Sequence, residues 1–214
     1  MTERGIRKAA AVIAVRDTSD GPEVLVIERS AASRFLPGYI SFPGGRTDDE
    51  DVALARRWFG DETEAARASA VRELLEEVGL ALREDGLRAA EHDDVAAIDE
   101  APPHVATLRA IARWVAPEDV PVRFDATYFA VAAPSGIDPT PDGGEIAAAW
   151  WVSPGDLLAD WENEKARLYW PTYLTVRSLE ACASAQEVLE IDLVTREPDD
   201  DELERLHRST FWQD

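Results

Sequence analysis

Lysine and cysteine are nearly absent from this chain of 214 residues: Lys8 and Lys165 are its only ammonium side chains, and Cys182 is its single thiol. One cysteine cannot close an internal disulfide, so the expected compartment is the reducing cytoplasm. Long apolar runs are missing as well. A stretch such as Ala9–Val15 is too short to cross a bilayer, and Met1-Thr2-Glu3-Arg4 opens no secretory leader; no membrane partner is expected. Positive charge is scarce, with 22 Lys and Arg against 43 Asp and Glu, a net charge of −21. That balance excludes nonspecific nucleic-acid binding, which needs a basic footprint. It also opposes any phosphate-bearing ligand unless a divalent cation or local arginines offset it. The three histidines, His92, His104 and His207, stand in no metal-ligand spacing. Few lysines beside many alanines point to a GC-rich bacterial genome.

What is present is ordinary for a folded protein: 45% hydrophobic and 30% charged residues, enough for one sizeable core. No internal repeat is visible. Residues 1–196 read as a single domain and 197–214 as an acidic tail, with the run Asp199–Glu204 expected to be solvated. Residues 8–15 and 23–28 read as a hairpin around the turn Asp17–Pro22. A short strand over Tyr39–Phe42 is broken by Pro43-Gly44-Gly45. Residues 49–59 read as a short inserted helix capped by Asp48 or Asp49, with residues 48–60 packed as a lobe by Trp58 and Phe59. Residues 62–78 form the clearest helix, with Asp61-Glu62-Thr63-Glu64 in a capping-box pattern and Gly79 as terminator. Strands are expected over 113–116, 122–132 and 145–152. A helix opens at Ser153-Pro154, and a last one near Pro171-Thr172. Strands and helices mix without regular alternation, so the fold class is α+β, as a layered α/β/α domain.

The chemistry sits on the clearest helix. Glu73, Glu76 and Glu77 occupy i, i+3 and i+4, so they share one face. Like charges so placed repel by roughly 0.2–0.5 kcal/mol per pair, and a hard cation reverses the sign. Carboxylate oxygens suit Mg²⁺, which can polarise a phosphoryl oxygen and acidify a bound water. Alone, such a trio in an acidic chain is an ordinary solvated face. The context changes that, because Phe42-Pro43-Gly44-Gly45 lies upstream and Val78-Gly79-Leu80 closes the helix. A Gly-Gly pair lets backbone approach a phosphate or offer a carbonyl to a metal.

These residues resemble the Nudix box, Gly-x5-Glu-x7-Arg-Glu-U-x-Glu-Glu-x-Gly-U with U aliphatic. Glu64, seven residues, and Arg72-Glu73-Leu74-Leu75-Glu76-Glu77-Val78-Gly79-Leu80 fit its second half at every position. The first half departs: 18 residues separate Gly45 from Glu64, which implies an insertion within the box, and Asp51 stands at the uninterrupted spacing as the rival of Glu64. The resemblance implies a Nudix fold, a mixed β-sheet between helices. It implies Glu73 and Glu77 as main metal ligands and Glu76 as the third. Arg72 would orient the carboxylates together with the first acidic residue of the box, and Gly44 or Gly45 would offer a further contact. The implied cofactor is Mg²⁺, with Mn²⁺ as its substitute.

Arg29-Ser30, seven residues, and Gly38-Tyr39-Ile40-Ser41-Phe42-Pro43-Gly44-Gly45 are similar to the signature of Nudix coenzyme A diphosphatases, with Ile40 in place of Val. Arg113–Glu118, Pro121–Phe129, Gly144-Glu145 and Trp151 resemble the long branch of those proteins. The lead substrate is therefore coenzyme A or an acyl ester, cut at its diphosphate, and the expected partner is a small nucleoside diphosphate derivative, with a homodimer as an admissible assembly. Arg29 and Arg34 are expected to meet its phosphates, the 3′-phosphate in particular; the alternative for Arg29 is pairing with a nearby carboxylate. Glu145 reads either as a supplementary metal ligand or base, or as a plain surface group. Arg123 and Asp125 read as structural, and Trp114, Trp150, Trp151 and Trp170 mostly as core. Alternatives are a hydrolase of ADP-ribose, dinucleotides or oxidised nucleotides, a non-catalytic binding module, and a prenyl diphosphate isomerase, for which Cys182 lies far along the chain.

Overall fold

The computed structural model describes residues 6–33, 35–116, 123–199, 201, 202 and 204. Arg34 lies outside them, and so does residue 122 at the start of an expected strand. The chain opens with β1 (Arg7–Thr18) and β2 (Gly21–Arg29), a hairpin closed by Ser19-Asp20. The middle of β1 is buried residue after residue instead of alternating, because both faces of the sheet are covered. β3 (Ile40–Ser41) and β4 (Gly44–Arg46) follow. Pro43-Gly44-Gly45 does more than break a strand, since Gly44 and Gly45 pair with Ala11 and Ala10 of β1.

Next come α1 (Asp49–Phe59), a 3₁₀ turn at Glu62–Glu64, and α2 (Ala65–Val78), which Gly79 ends in a left-handed cap at φ 63°. The expected helix 62–78 thus begins as a 3₁₀ turn. Its capping box is not reciprocal: Asp61 accepts from the Thr63 amide, whereas the two-way box belongs to Asp48 and Asp51 at the start of α1. Rather than standing apart as a lobe, α1 packs on α2: Leu54, Ala55 and Trp58 enter the same core as Leu74, Leu75 and Val78.

A small hairpin of β5 (Leu80–Arg83) and β6 (Gly86–Ala89), the short helix α3 (Val95–Asp99), and later α6 (Ala185–Glu190) were not anticipated from the sequence. The sheet is completed by β7 (Arg109–Val115), β8 (Phe124–Ala132) and β9 (Ile146–Val152), and flanked by α4 (Pro154–Glu162) and α5 (Trp170–Leu179). The main sheet has seven strands in the order β3-β2-β1-β8-β7, with β4 on β1 and β9 on β2. β1 and β8 run parallel from Arg7↔Phe124 to Val15↔Ala132, and the other strand pairs are antiparallel.

Each face of the sheet has its own core. Val12, Leu25 and Phe129 meet α1, α2 and the β5–β6 hairpin on one side. Ile13, Val26 and Tyr128 meet α4, α5 and α6 on the other. This is the α+β, three-layer arrangement expected. Beyond α6 the chain crosses the outer strand: the Leu193 amide donates to the Ile111 carbonyl at 2.8 Å, and Arg109 donates to the carbonyl of Ile191 at 2.7 Å. The acidic run near the end is not wholly solvated. Glu202 is buried and accepts from Arg196 and, at 3.4 Å, from Arg177. No helix among the described residues is long and apolar enough to cross a membrane.

Trp58 is the test of how tightly α1 is packed, being buried with its indole N–H donating to Asp99 at 2.8 Å. Trp58→Ala is expected to cost about 3–5 kcal/mol of unfolding free energy, and Trp58→Phe about 1 kcal/mol, the hydrogen bond alone. Urea midpoints measure both. A Trp58→Ala loss below about 1 kcal/mol would show that α1 is not part of the core.

Candidate active site

Three neighbouring pieces of chain converge here: the end of β2, the Gly44-Gly45 strand β4, and the outer face of α2. Their meeting is set by two glycines. A Cβ on Gly45 would stand 2.2 Å from Glu73 Oε1, and one on Gly44 would stand 2.3 Å from the Ala10 carbonyl oxygen. Only bare backbone lets β4 lie against β1 while the carboxylates of α2 lie against β4.

Glu77 is 3% exposed. Its Oε2 accepts from the Gly44 amide at 2.8 Å, while its Oε1 is buried with no hydrogen-bond partner. Arg29 Nη1 stands 3.9 Å from that oxygen, too far for a hydrogen bond. Burial pushes the Glu77 carboxyl well above the usual carboxylate range, and the charges of Glu73 and Glu145 push the same way; the Gly44 amide and Arg29 oppose them. Burial likewise lifts Glu73, to about 7, against the pull of Arg72. Two carboxyls are thus held near each other in a dry place, one with an unfilled acceptor.

Arg72 organises the side facing α1. Its Nε donates to Asp51 Oδ1 at 2.8 Å and its Nη2 to Asp51 Oδ2 at 3.2 Å. Nη1 meets Glu73 at 2.9 Å and Glu76 at 2.8 Å, and Nη2 reaches the Arg46 carbonyl at 3.4 Å. Burial opposes the guanidinium charge, but Asp51 and the two glutamates hold it firmly protonated. Asp51 is fully buried, whereas Glu64 pairs with Arg67. Asp51 therefore takes the place beside Arg72 for which Glu64 was the first choice, and Glu64 is corrected to a half-buried ion pair with Arg67. The insertion accordingly opens after Asp51, leaving the Gly45-x5-Asp51 spacing uninterrupted; that spacing was the signal for it.

The remaining candidates divide. Glu76 is 46% exposed on its side chain and shares Arg72 Nη1 with Glu73. Among the described residues no three carboxylate, imidazole or thiol side chains converge closely enough to enclose a metal ion. Glu145 is exposed just before β9, and its carbonyl accepts from the Ser30 amide at 2.7 Å. Arg29 follows a register shift in the β2–β9 pairing, and bulges of this kind re-aim side chains. Its guanidinium is shared between Glu77 and the loop beyond, donating to Phe35 O at 2.9 Å and to Ser33 Oγ. Of the structural readings, Asp125 is clamped by Arg113 at 2.7 and 2.8 Å and by Lys8, and Arg123 donates to the Ala116 carbonyl.

A family model for the NUDIX domain matches residues 5–170. A Caenorhabditis elegans protein described as nudix hydrolase 7 is 38% identical over 80 residues, which is 37% of this chain and 24% of that protein. The match thus spans about a quarter of that relative's length. The crystal structure of a NUDIX hydrolase from Alicyclobacillus acidocaldarius superposes with a TM-score of 0.79 at 28% identity, over 91% of this chain and 100% of the other. The NUDIX domain of Shewanella oneidensis NrtR, complexed with ADP ribose, shares the fold alone: TM-score 0.54 and 12% identity over 81% and 86%.

Two outcomes follow from the geometry. Asp51→Ala, which strands the buried Arg72, is expected to cost about 3–5 kcal/mol, and Glu64→Ala clearly less, because Arg67 keeps its bond to the Leu108 carbonyl; the reverse order in urea midpoints would return Glu64 to the site. For pH, Glu73 titrates near 7 in the fold, above its usual 4.5, so between those values the native state binds the extra proton. Metal-free stability attributable to Glu73 therefore falls as pH rises from about 4.5 to about 7. Glu73→Gln should flatten that part of the wild-type profile, and an identical profile in the variant would refute the shift.

Proposed function

The chain belongs to the Nudix family, and from that premise we propose that it is a Mg²⁺-dependent hydrolase of pyrophosphate bonds that acts on a nucleoside-diphosphate-linked substrate, with coenzyme A or an acyl ester as lead. The observation that carries the reading is the buried, unpartnered Oε1 of Glu77 beside Glu73. Two crowded carboxyls deprived of water are poorly placed as anions on their own, and a hard divalent cation is the partner that fits them.

In this reading Glu73 and Glu77 hold the cation, Glu76 swings from Arg72 as a third oxygen donor, and Glu145 and a Gly44 or Gly45 carbonyl are supplementary donors. Bound Mg²⁺, or Mn²⁺ in its place, supplies Lewis-acid stabilisation of phosphoryl oxygens and a more acidic water. Arg72 opposes the effect of burial on Glu73 and aims its carboxylate. Arg29 stands beside Glu77, so it meets the scissile diphosphate, where charge accumulates as the phosphorus is attacked. That position differs from the 3′-phosphate role expected from sequence. Arg34, outside the described residues, is carried over from the sequence alone as a phosphate contact.

Coenzyme A leads because of the spacing from Arg29-Ser30 to Phe42-Pro43-Gly44-Gly45. ADP-ribose is the second reading, favoured by the Shewanella fold neighbour that carries it. The isomerase reading loses ground, because Cys182 packs with the core on the opposite face of the sheet from α2.

A hydrolysis screen with Mg²⁺ and product masses is the test. Coenzyme A should yield 3′,5′-adenosine diphosphate and a phosphopantetheine product; cleavage of ADP-ribose without coenzyme A would select the second reading. Glu77→Gln should fold, with metal-free stability equal to or above wild type, and lose most Mg²⁺-dependent turnover; full turnover at saturating Mg²⁺ would remove Glu77 from the metal site. Arg29→Ala should reduce turnover of coenzyme A and dephospho-coenzyme A alike, by roughly ten-fold or more for a lost charge-assisted hydrogen bond. A loss confined to coenzyme A would put Arg29 back at the 3′-phosphate.

A further inference from the structure

The described residues between β2 and β3 are tied more firmly than a connector needs. The Gly38 amide donates to the Arg29 carbonyl at 3.0 Å, and the Tyr39 amide to that of Leu36 at 3.2 Å. The Phe35 carbonyl accepts from Arg29 Nε at 2.9 Å and from Ser33 Oγ at 3.0 Å. Leu36 sits at φ 49°, a left-handed conformation costly for a branched side chain. These restraints do not bury a hydrophobic group; they present one. Phe35 is 45% exposed, among the few large apolar residues left in water among the described residues. It meets Phe124, the first residue of β8, edge to face with centroids 5.6 Å apart and planes at 61°.

We propose that Phe35, backed by Phe124, is the stacking platform for the purine base of the substrate. The inference rests on the nucleoside-linked substrate class proposed above. Its span is set by one side chain: the guanidinium that faces Glu77 at 3.9 Å also holds the Phe35 carbonyl at 2.9 Å. A diphosphate beside Glu77 and a base on Phe35 are thus joined across Arg29, as a ribose joins them in a nucleotide. Electrostatics favours such a grip. The base is the neutral part of an anionic ligand, so a protein of net charge −21 can hold it without repulsion. Aromatic faces bind bases through π-stacking that does not depend on charge pairing.

The experiment compares binding of adenosine 5′-monophosphate and ribose 5-phosphate, which differ only in the base, by calorimetry on wild type, Phe35→Ala, Phe35→Leu and Phe35→Tyr. Wild type is expected to prefer the nucleotide. Phe35→Ala and Phe35→Leu should cut that preference about ten-fold without changing ribose 5-phosphate binding, and Phe35→Tyr should retain it. Leu keeping the preference as well as Tyr would reduce Phe35 to packing and overturn the platform, as would no preference in wild type or equal losses for both ligands. Hydrolysis of nucleoside diphosphates with a preference indifferent to Phe35 would sink the platform alone. A Phe35-dependent preference without any such hydrolysis would sink the proposed activity alone.

Discussion

The Arg72 guanidinium is the fixed point on which the arrangement around α2 depends. It is buried, and it binds Asp51 of α1, Glu73 and Glu76 of its own helix, and the Arg46 carbonyl of β4. A buried arginine is tolerable only when its donors are met, and removing one partner typically costs more than the pair contributes. The inserted helix is consequently tied to α2 by a charged bond as well as by Trp58 and Leu54. An insertion that might have drifted as a surface excursion is instead part of the scaffold.

A second constraint opposes the first. Glu73 and Glu77 are brought together in a place where burial disfavours their charges, and the bare Gly44 and Gly45 make that closeness possible. Such crowding of buried carboxylates lowers stability. The two sheet cores supply the compensation: Ile13, Leu25 and Ile27 are fully buried between layers of helix.

Much of this was legible in the residues. The run from Arg72 to Leu80 gave the helix, its terminator and its carboxylate face, because helical periodicity and a left-handed glycine are local properties. The span of α1 was equally plain, and of its two candidate caps, Asp48 and Asp49, the fold uses Asp48. Asp51 was harder, since linear spacing cannot tell on which side of an insertion the register is kept; only the burial of its carboxylate against Arg72 decides it. The β5–β6 hairpin escaped because its four-residue strands are too short to show a period. Glu202 looked like one more solvated charge, because its partners Arg177 and Arg196 are brought to it by the fold. Arg29 could be placed at the end of a strand, but its aim depends on the register shift there.

The last strand of the sheet carries a different kind of consequence, one of timing. β7 is an outer strand, and an uncovered outer strand can pair with another chain. The cover over Ile111 and Arg109 is supplied by the segment around Ile191 and Leu193. Arg109 and Ile191 are 82 residues apart, so at roughly 5–20 residues per second of synthesis the edge waits on the order of 4 to 16 seconds for its cover. β8 and β9 are themselves made within that interval, so after Val152 completes the sheet its outer strand stays open until Ile191 has been made. The strong negative charge is well suited to that interval, since neighbouring nascent chains repel one another until the edge is closed.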